Sequence, residues 1–204
     1  GISVMVKSQA EKERHVVSEH TKTEVLKGYT LTEEQTAAFN HVLGKDLACV
    51  VGFAGTGKSY MLKAAREAWE KEGYKVHGMT LSGIAAENLE ETSGIKSHTI
   101  ASRLYAWDNN NYKLSSKDIV VIDEAGLVGS KGMFKIMNEV SDAKAKLVLI
   151  GDFEQLQPIQ AGAIFRMIAL QCGYAQLGDI RRQEVRWQRE ATFCLATGQT
   201  GQAL

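Results

Sequence analysis

The chain has 204 residues, of which 44% are hydrophobic and 24% charged, proportions that are ordinary for a soluble globular protein. The formal net charge is zero, so charge alone argues neither for nor against nucleic acid, and any basic surface must be local. Without a run of membrane-spanning length or a signal-peptide pattern, we expect no membrane partner.

The cysteines Cys49, Cys172 and Cys194 are far apart and odd in number, with no C-x-x-C pair. They therefore suggest neither a zinc site nor a disulfide framework. Three free thiols fit a reducing compartment, and we expect a cytoplasmic protein. Cys49 lies in an apolar stretch and is expected to be a small core residue.

Residues 1–28 differ from the rest of the chain, because residues 9–27 are dense in charged side chains. This segment is interpreted as a linker or the tail of a preceding domain, with a solvated helix as the alternative. A single domain is expected over residues 29–204.

From residue 29 onward, apolar runs alternate with stretches of helical pattern. Strands are predicted at residues 47–51, 75–80, 118–123 and 146–151, with a shorter one at 174–177. Helices are predicted at residues 32–43, 58–71, 83–91, 98–107, 131–140, 162–170 and 185–196. This alternation predicts an α/β fold with a parallel sheet that helices cover on both faces.

Residues 52–59 read Gly-Phe-Ala-Gly-Thr-Gly-Lys-Ser and match the phosphate-binding loop pattern G-x-x-x-x-G-K-[ST]. An apolar strand precedes them and a helical stretch follows, which disfavours a chance glycine-rich turn. The glycines let successive N–H groups face one concavity, beside the positive end of a helix. We expect ATP and Mg²⁺ as cofactors, with Lys58 at the β- and γ-phosphates and Ser59 on the metal. The predicted nucleotide contacts are Gly52, Ala54, Gly55, Thr56, Gly57, Lys58, Ser59 and Tyr60.

Two acids, Asp123 and Glu124, follow the predicted strand at 118–122. Ligands of open α/β sheets bind at such strand ends. Asp123 is a candidate Mg²⁺ ligand opposite Ser59, and Glu124 is a candidate general base for the attacking water. A solvent-exposed pair of acids is the alternative, which the intact phosphate loop disfavours.

The strand at 146–151 likewise delivers polar groups at its carboxyl end. Gln155 carries a neutral amide that can donate to a γ-phosphate oxygen and accept from a water. Pro158 is the only proline of the chain, and it bars a helix at this loop's exit. The alternative is an ordinary polar turn over residues 152–157.

Taken in order, these motifs closely resemble superfamily 1 helicases, above all the RecD-like subgroup and the helicase part of conjugative relaxases of the TraA and MobA type. The Gly-Asp-x-x-Gln-Leu-x-Pro segment is the most specific. The resemblance covers about residue 29 to the end and implies a RecA-like fold and ATP-dependent, 5′ to 3′ DNA helicase activity in conjugation or recombinational repair. The matching segments are residues 31–35, 52–59, 80–83, 97–100, 123–126, 151–158 and 180–183.

The resemblance also implies roles for individual residues. Gln35 would read the adenine edge, although Thr32-x-x-Gln35 is also a capping box for the helix that it opens. Gln155 would sense the γ-phosphate. Arg182 would meet the γ-phosphate at the junction with the next domain, with Arg181 as the competing candidate. The catalytic set is then Lys58, Glu124, Gln155 and Arg182.

Single-stranded DNA is the implied partner, and its predicted contacts are Thr80, Ser82, Gly83, His98 and Thr99. Hydroxyls and backbone N–H groups suit phosphate oxygens without reading sequence. Ser82 stands where the family usually has Thr, which keeps the hydroxyl. His98 could stack on a base or be a locally bonded helix-start residue, and Trp107 is favoured as a half-buried helix residue.

These motors work with two RecA-like domains, and residues 183–204 are too few for a second one. We therefore expect the first motor domain of a longer protein, slow as an isolated chain, with the second domain as its partner. A non-hydrolysing DNA-binding module is the alternative, disfavoured because Lys58, Glu124 and Gln155 are intact. A small-molecule kinase is less consistent with the acids at 123–124.

Overall fold

The computed structural model describes residues 1–52, 57–156 and 163–178. In these ranges six strands form one sheet in the order β3-β2-β4-β5-β1-β6, and every pair is parallel. The strands are β1 (Leu47–Gly52), β2 (Lys75–Thr80), β3 (Lys96–Thr99), β4 (Asp118–Ile122), β5 (Lys146–Asp152) and β6 (Ala175–Leu177). The helices are α1 (Ile2–Glu11), α2 (Glu19–Leu26), α3 (Glu33–Val42), α4 (Lys58–Lys71), α5 (Gly83–Ser93), α6 (Ile100–Asp108), α7 (Ser130–Ala143) and α8 (Ala163–Cys172).

Helices cover both faces of the sheet, as the sequence predicts. Along β1, Cys49 and Val51 point into the core beneath α1, α6, α7 and α8, whereas Val50 points into the core beneath α2, α3, α4 and α5. Cys49 is fully buried, so its expected place in the core is confirmed. Within the described residues, no helix combines the length and apolarity that crossing a membrane requires.

One strand is missing from the sequence prediction. Residues 98 and 99 are expected to open a helix, but they end β3, and α6 begins only at Ile100. Thr99 is the N-cap of α6 with extended backbone angles, φ −72° and ψ 149°. The strand escapes sequence analysis because it is a four-residue edge strand, Lys-Ser-His-Thr, without an apolar run. The helix predicted at 185–196 lies outside the described residues.

The first 28 residues pack on the domain instead of extending away from it. Val6 of α1 is fully buried against α7 and α8, and Val25 of α2 packs toward α4. Asp46, just before β1, fixes the segment between these helices, because it accepts hydrogen bonds from Arg14 and His15. The linker interpretation did not anticipate these contacts. Where a preceding domain ends stays a prediction.

Candidate nucleotide-binding site

The predicted nucleotide-site motifs meet at one edge of the sheet, because β5 lies between β1 and β4. Gly52 at the end of β1 pairs with Asp152 at the end of β5. Leu149 of β5 pairs with Ile122, the last residue of β4. The carboxyl ends of these three parallel strands are therefore adjacent, which is where ligands of open α/β sheets bind.

Lys58 opens α4 and lies directly over the end of β1. Gly57 precedes it in the left-handed region, φ 79° and ψ 28°, a conformation that costs glycine little. The stem of Lys58 crosses Gly52 so closely that a Cβ there would be 3.1 Å from Lys58 Cδ. Its Nζ lies 3.3 Å from Asp152 Oδ1. The ammonium group is thus held at the tip of β5, where a bound phosphate would compete with Asp152.

The sequence leaves two roles open for Gln35, a capping box and a contact with adenine, and the structure shows the first. The capping box at the start of α3 is confirmed: Gln35 N donates to Thr32 Oγ1 at 3.1 Å, and Thr32 N donates to Gln35 Oε1 at 2.9 Å. Gln35 Nε2 also donates to the carbonyl of Gly57 at 3.2 Å. These bonds use one lone pair and one hydrogen of an amide that has two of each. Contact of Gln35 with adenine stays a prediction.

Ser59 and Tyr60 lie in the first turn of α4 and contact different parts of the chain. The Tyr60 hydroxyl accepts from Thr30 N at 3.1 Å, and its ring lies 5.2 Å from the ring of Tyr29, centroid to centroid. Burial, with a hydrogen bond to Glu67, raises the pKa of Tyr29. The Ser59 hydroxyl oxygen lies 3.1 Å from Thr92 Oγ1 on α5. Thr92 is absent from the sequence prediction, because no local pattern brings α5 to the loop.

Asp123 and Glu124 form a tight turn after β4. The backbone N–H of Asp123 donates to Met79 O at 3.2 Å, and its Oδ1 accepts from Glu124 N at 2.9 Å. Glu124 is exposed and has left-handed angles, φ 53° and ψ 40°. Such strain in a non-glycine residue is typical of functional sites. The Ser59 hydroxyl and the Asp123 carboxylate are oxygen ligands of the kind that Mg²⁺ takes in proteins.

Gln155 joins the turns that follow β4 and β5. Its Oε1 accepts from Gly126 N at 3.1 Å and from Asp152 N at 3.0 Å, and the residue is 8% exposed. Because both lone pairs of the amide oxygen are engaged, the NH₂ end is the part of the side chain suited to a phosphate. The predicted acceptance from a water is therefore not available in this arrangement.

Four predicted nucleotide-site residues lie outside the described residues: Ala54, Gly55, Thr56 and Arg182. Arg181, the competing candidate for the γ-phosphate, lies there as well, as does Pro158. Their roles stay predictions. The described site consists of Gln35, Gly52, Gly57, Lys58, Ser59, Tyr60, Asp123, Glu124 and Gln155.

The predicted DNA contacts lie further along the same edge, after β2 and β3. Thr80 is fully buried, and its hydroxyl donates to Ser82 O at 2.8 Å. Ser82 and Thr99 cap α5 and α6, since their hydroxyl oxygens accept from Ala85 N at 3.1 Å and Ser102 N at 3.2 Å. Of the predicted hydroxyls, those of Ser82 and Thr99 thus stand at helix N-termini.

His98 and Trp107 differ in their access to a strand. His98 is partly exposed on β3, and burial, then Arg103 and Lys96, lower its pKa. Trp107 is 6% exposed within the core, so the favoured packing role holds, with deeper burial than expected. Gly83 is exposed, with nothing within 4 Å of the place of a Cβ. Contact of any of these residues with DNA stays a prediction.

Comparison with known proteins gives the family. The family model described as "AAA domain" matches residues 30–204. The chain is 49% identical over 175 residues to the probable conjugal transfer protein TraA of Sinorhizobium fredii, covering 85% of this chain and 16% of that protein. It is 28% identical over 160 residues to the ATP-dependent RecD2 DNA helicase of Deinococcus radiodurans, covering 76% of this chain and 22% of that protein.

Among solved structures, the crystal structure of the Pif1 helicase from Candida albicans resembles the chain with a TM-score of 0.53 at 20% identity, covering 80% of this chain and 44% of that one. This likeness establishes the fold, and the expected RecA-like architecture is confirmed. The chain spans less than a quarter of the length of the TraA and RecD2 relatives.

Proposed function

Because the chain belongs to the AAA domain family, as a superfamily 1 helicase-like domain of the RecD and TraA kind, we propose that it binds ATP with Mg²⁺ as the first motor domain of an ATP-dependent DNA helicase. The observation that carries this proposal is the position of Gln155. It joins the turn bearing Glu124 to the strand end where Asp152 meets Lys58. Three strand ends thus meet at one place, which supports the binding of a terminal phosphate there.

The binding step follows from the residues around that place. The Lys58 ammonium meets the phosphate oxygens and leaves Asp152, since a phosphate carries more negative charge than one carboxylate. Ser59 and Asp123 would hold Mg²⁺, which neutralises charge on the β- and γ-phosphates when it is bound. Gln35 offers one donor and one acceptor to the base, the pattern of an adenine edge.

The hydrolytic step needs a general base, a γ-phosphate sensor and a positive charge at the γ-phosphate. Glu124 is exposed at the tip of β4, where its carboxylate can take a proton from the attacking water. Gln155 directs its NH₂ end to a γ-phosphate oxygen. Its Oε1 is bonded to Gly126 N in the turn that carries Glu124, so a shift of Gln155 on phosphate binding would also move that turn. Arg182 supplies positive charge at the junction with the second RecA-like domain, a contribution worth about 10³–10⁵ in rate for such arginines.

The DNA step uses the edge beside β2 and β3. The helix N-termini at Ser82 and Thr99 offer backbone N–H groups to the phosphates of single-stranded DNA. Closing and opening of the cleft against the second domain would then alternate the grip on the strand and drive 5′ to 3′ movement. The TraA relative supports a setting in conjugation, and the free thiols of Cys49 and Cys172 support the cytoplasm.

The test is ATP hydrolysis by a longer protein that contains the second domain, with and without single-stranded DNA. A motor should show Mg²⁺-dependent hydrolysis that DNA stimulates and that Lys58→Ala abolishes. DNA binding without any hydrolysis would favour a non-hydrolysing module instead. Phosphate transfer to a small molecule, without stimulation by DNA, would favour a kinase.

A further inference from the structure

The hydroxyl of Ser59 meets a side chain from another helix. Thr92 lies in the last turn of α5, and its Oγ1 is 3.1 Å from Ser59 Oγ and 2.8 Å from the carbonyl oxygen of Asn88. Thr92 is exposed and Ser59 is partly exposed, so this bond is not needed to satisfy buried polar groups. The Thr92 hydroxyl instead lies beside Ser59, the proposed metal ligand.

Counting hydrogens gives this chain of bonds a direction. Thr92 has one hydroxyl hydrogen, and the carbonyl of Asn88 can only accept. Thr92 Oγ1 lies within hydrogen-bonding distance of both oxygens but can donate to only one of them. When it donates to the nearer oxygen, the carbonyl of Asn88 at 2.8 Å, it is left to accept from Ser59, whose hydroxyl oxygen lies 3.1 Å away. A serine that ligates a cation must also turn its hydrogen away from the metal and its lone pair toward it. The order Ser59 to Thr92 to Asn88 therefore leaves the lone pairs of the Ser59 oxygen for a metal.

The position of Thr92 is fixed by the packing of α5 on α4. Arg66 Nε of α4 donates to the carbonyl of Ser93 at 3.0 Å. Gly94 ends α5 with φ 76°, and a Cβ there would lie 2.7 Å from Arg66 Nε, so this close approach depends on glycine. Leu89, one turn before Ser93, is buried in the core. The Thr92 oxygen is therefore held at a constant place relative to the first turn of α4.

We propose that Thr92 is a positioning residue for magnesium: it accepts the hydrogen of the Ser59 hydroxyl and thereby directs the Ser59 oxygen toward the metal of a bound magnesium nucleotide. This rests on the proposed function, since it requires that Ser59 ligate Mg²⁺. Groups that orient metal ligands act on metal affinity, and their removal typically costs 10- to 100-fold. The effect of Thr92 is expected on the metal and not on the phosphates, which Lys58 holds.

The experiment measures the melting temperature of this chain with saturating ADP while MgCl₂ is titrated from an EDTA baseline. Thr92→Val removes the hydroxyl and keeps the shape, and it should raise the half-saturating Mg²⁺ concentration by about 10-fold. The small shift that ADP gives in EDTA should be unchanged. Thr92→Ser keeps the hydroxyl and should restore the wild-type Mg²⁺ dependence. Thr23→Val is the matched control, because Thr23 is an exposed helical threonine whose hydroxyl likewise donates to the carbonyl four residues before it, that of Glu19.

Each outcome separates the two proposals. If the wild-type chain shows no Mg²⁺-dependent shift with ADP, the nucleotide site itself is wrong, and the role of Thr92 falls with it. If the wild type responds but Thr92→Val has the same half-saturating concentration, only the role of Thr92 is overturned. If Thr92→Val melts far below the wild type without ligand, Thr92→Ala replaces it, and an unchanged Mg²⁺ dependence there overturns the proposal equally.

Discussion

Gln155 and Gly126 are in direct contact across two turns that follow neighbouring strands. Gly126 N donates to Gln155 Oε1 at 3.1 Å, and a Cβ on Gly126 would lie 2.3 Å from Gln155 Cβ. The same oxygen accepts from Asp152 N at 3.0 Å. The turn that carries Glu124 is therefore bonded directly to the side chain predicted to sense the γ-phosphate. The residue predicted to sense the γ-phosphate and the turn of the predicted base are thus joined through one amide oxygen.

Replacement of Gln155 separates its structural role from its predicted role in hydrolysis. Gln155→Ala leaves the N–H groups of Gly126 and Asp152 without this acceptor, and each unpaired buried group costs about 1–3 kcal/mol. Gln155→Glu keeps an oxygen for both N–H groups but offers no donor to a phosphate. We expect a clear loss of unfolding free energy for Gln155→Ala, a smaller loss for Gln155→Glu, and loss of hydrolysis in both. Urea denaturation measures the first quantity.

Gln171→Ala is the control for these variants. Gln171 is an exposed glutamine on α8 that bonds only to Ser3 among the described contacts. Its replacement should change stability by less than about 0.5 kcal/mol. Equal stability of Gln155→Ala and Gln171→Ala would show that the two turns do not depend on the amide oxygen.

Glu124→Gln should abolish DNA-stimulated hydrolysis in a two-domain protein while nucleotide binding is retained. The substitution keeps the size of the side chain and leaves Ser59 and Asp123 in place for the metal. It removes only the group predicted to accept the proton of the attacking water, a role worth about 10²–10⁴ in rate. Hydrolysis rates and a nucleotide titration measure the two effects. Turnover near the wild-type rate would remove Glu124 from the role of general base.

Glu124→Gly tests whether the left-handed conformation at this position is a cost borne for function. Glu124 and Lys144 have φ 53° and 57° and are both non-glycine residues at helix ends. A glycine at either place removes the Cβ conflict and should raise stability by about 0.5–1 kcal/mol. Only Glu124→Gly should lose hydrolysis, so Lys144→Gly is the matched control. A lower melting temperature in both variants would contradict the assignment of strain.

The sequence predicts the strands beneath the candidate site well because their signals are local. β1, β4 and β5 are nearly continuous apolar runs, as expected for strands buried on both faces, and each is followed at once by polar groups of a known pattern. The carboxyl ends of strands in a parallel sheet share one edge, so the sequence places the three motifs at that edge, while the strand order β4-β5-β1 makes their strand ends adjacent.

The features that sequence analysis missed depend on distant contacts. Edge strand β3 has four residues and no apolar pattern, so nothing separates it from the helix that follows. The bond between Ser59 and Thr92 joins positions 33 residues apart, through the angle at which α5 crosses α4. The packing of residues 1–28 involves hydrogen bonds from Arg14 and His15 to Asp46. In the sequence, Arg14 and His15 cannot be told apart from the solvent-exposed charged residues around them.

Asp46 should make the attachment of the first 28 residues sensitive to acid. Burial raises the pKa of Asp46, but hydrogen bonds from His15 and Arg14 outweigh it and lower the pKa from 3.8 to about 2. The carboxylate therefore contributes stability that is complete above about pH 4 and lost as the pH falls through about 2. The shift corresponds to about 2 kcal/mol. Lys146, whose pKa burial lowers to about 7, is charged in both states throughout this range.

Asp46→Asn should lower the melting temperature at pH 7 and flatten its dependence on pH between 4 and 2. Asp142→Asn is the control, because Asp142 is exposed on α7 and should change neither quantity. Differential scanning calorimetry across this range gives both. A steep acid transition that survives in Asp46→Asn would assign the acid sensitivity to another carboxylate.

Binding of single-stranded DNA by this chain alone should be weak and sensitive to salt. The net charge is zero, and Lys96 and Arg103 are the lysine and arginine that act on the pKa of His98 at the proposed DNA edge. Affinity for a strand falls with salt with a slope of about −0.7 per phosphate neutralised. Fluorescence anisotropy with oligothymidylate at low and moderate salt measures it. Lys96→Ala should reduce the slope, whereas Lys7→Ala on α1 should not, and tight, salt-independent binding would contradict a half-site.

Lys58→Ala should remove most of the thermal stabilisation that Mg·ADP gives this chain, with little effect on the chain without ligand. The ion pair with Asp152 is partly exposed, with 21% and 46% of the side chains accessible, and pairs of this kind contribute only about 0–1 kcal/mol. At 100 times its dissociation constant a ligand stabilises by about 2.7 kcal/mol, which is about 5–11 °C for a domain of this size. Lys63→Ala, at an exposed position of the same helix, should keep the full shift. Equal shifts in the wild type and Lys58→Ala would place the phosphates away from Lys58. A loss shared by Lys63→Ala would instead indicate that α4 as a whole, and not the ammonium over Gly52, governs binding.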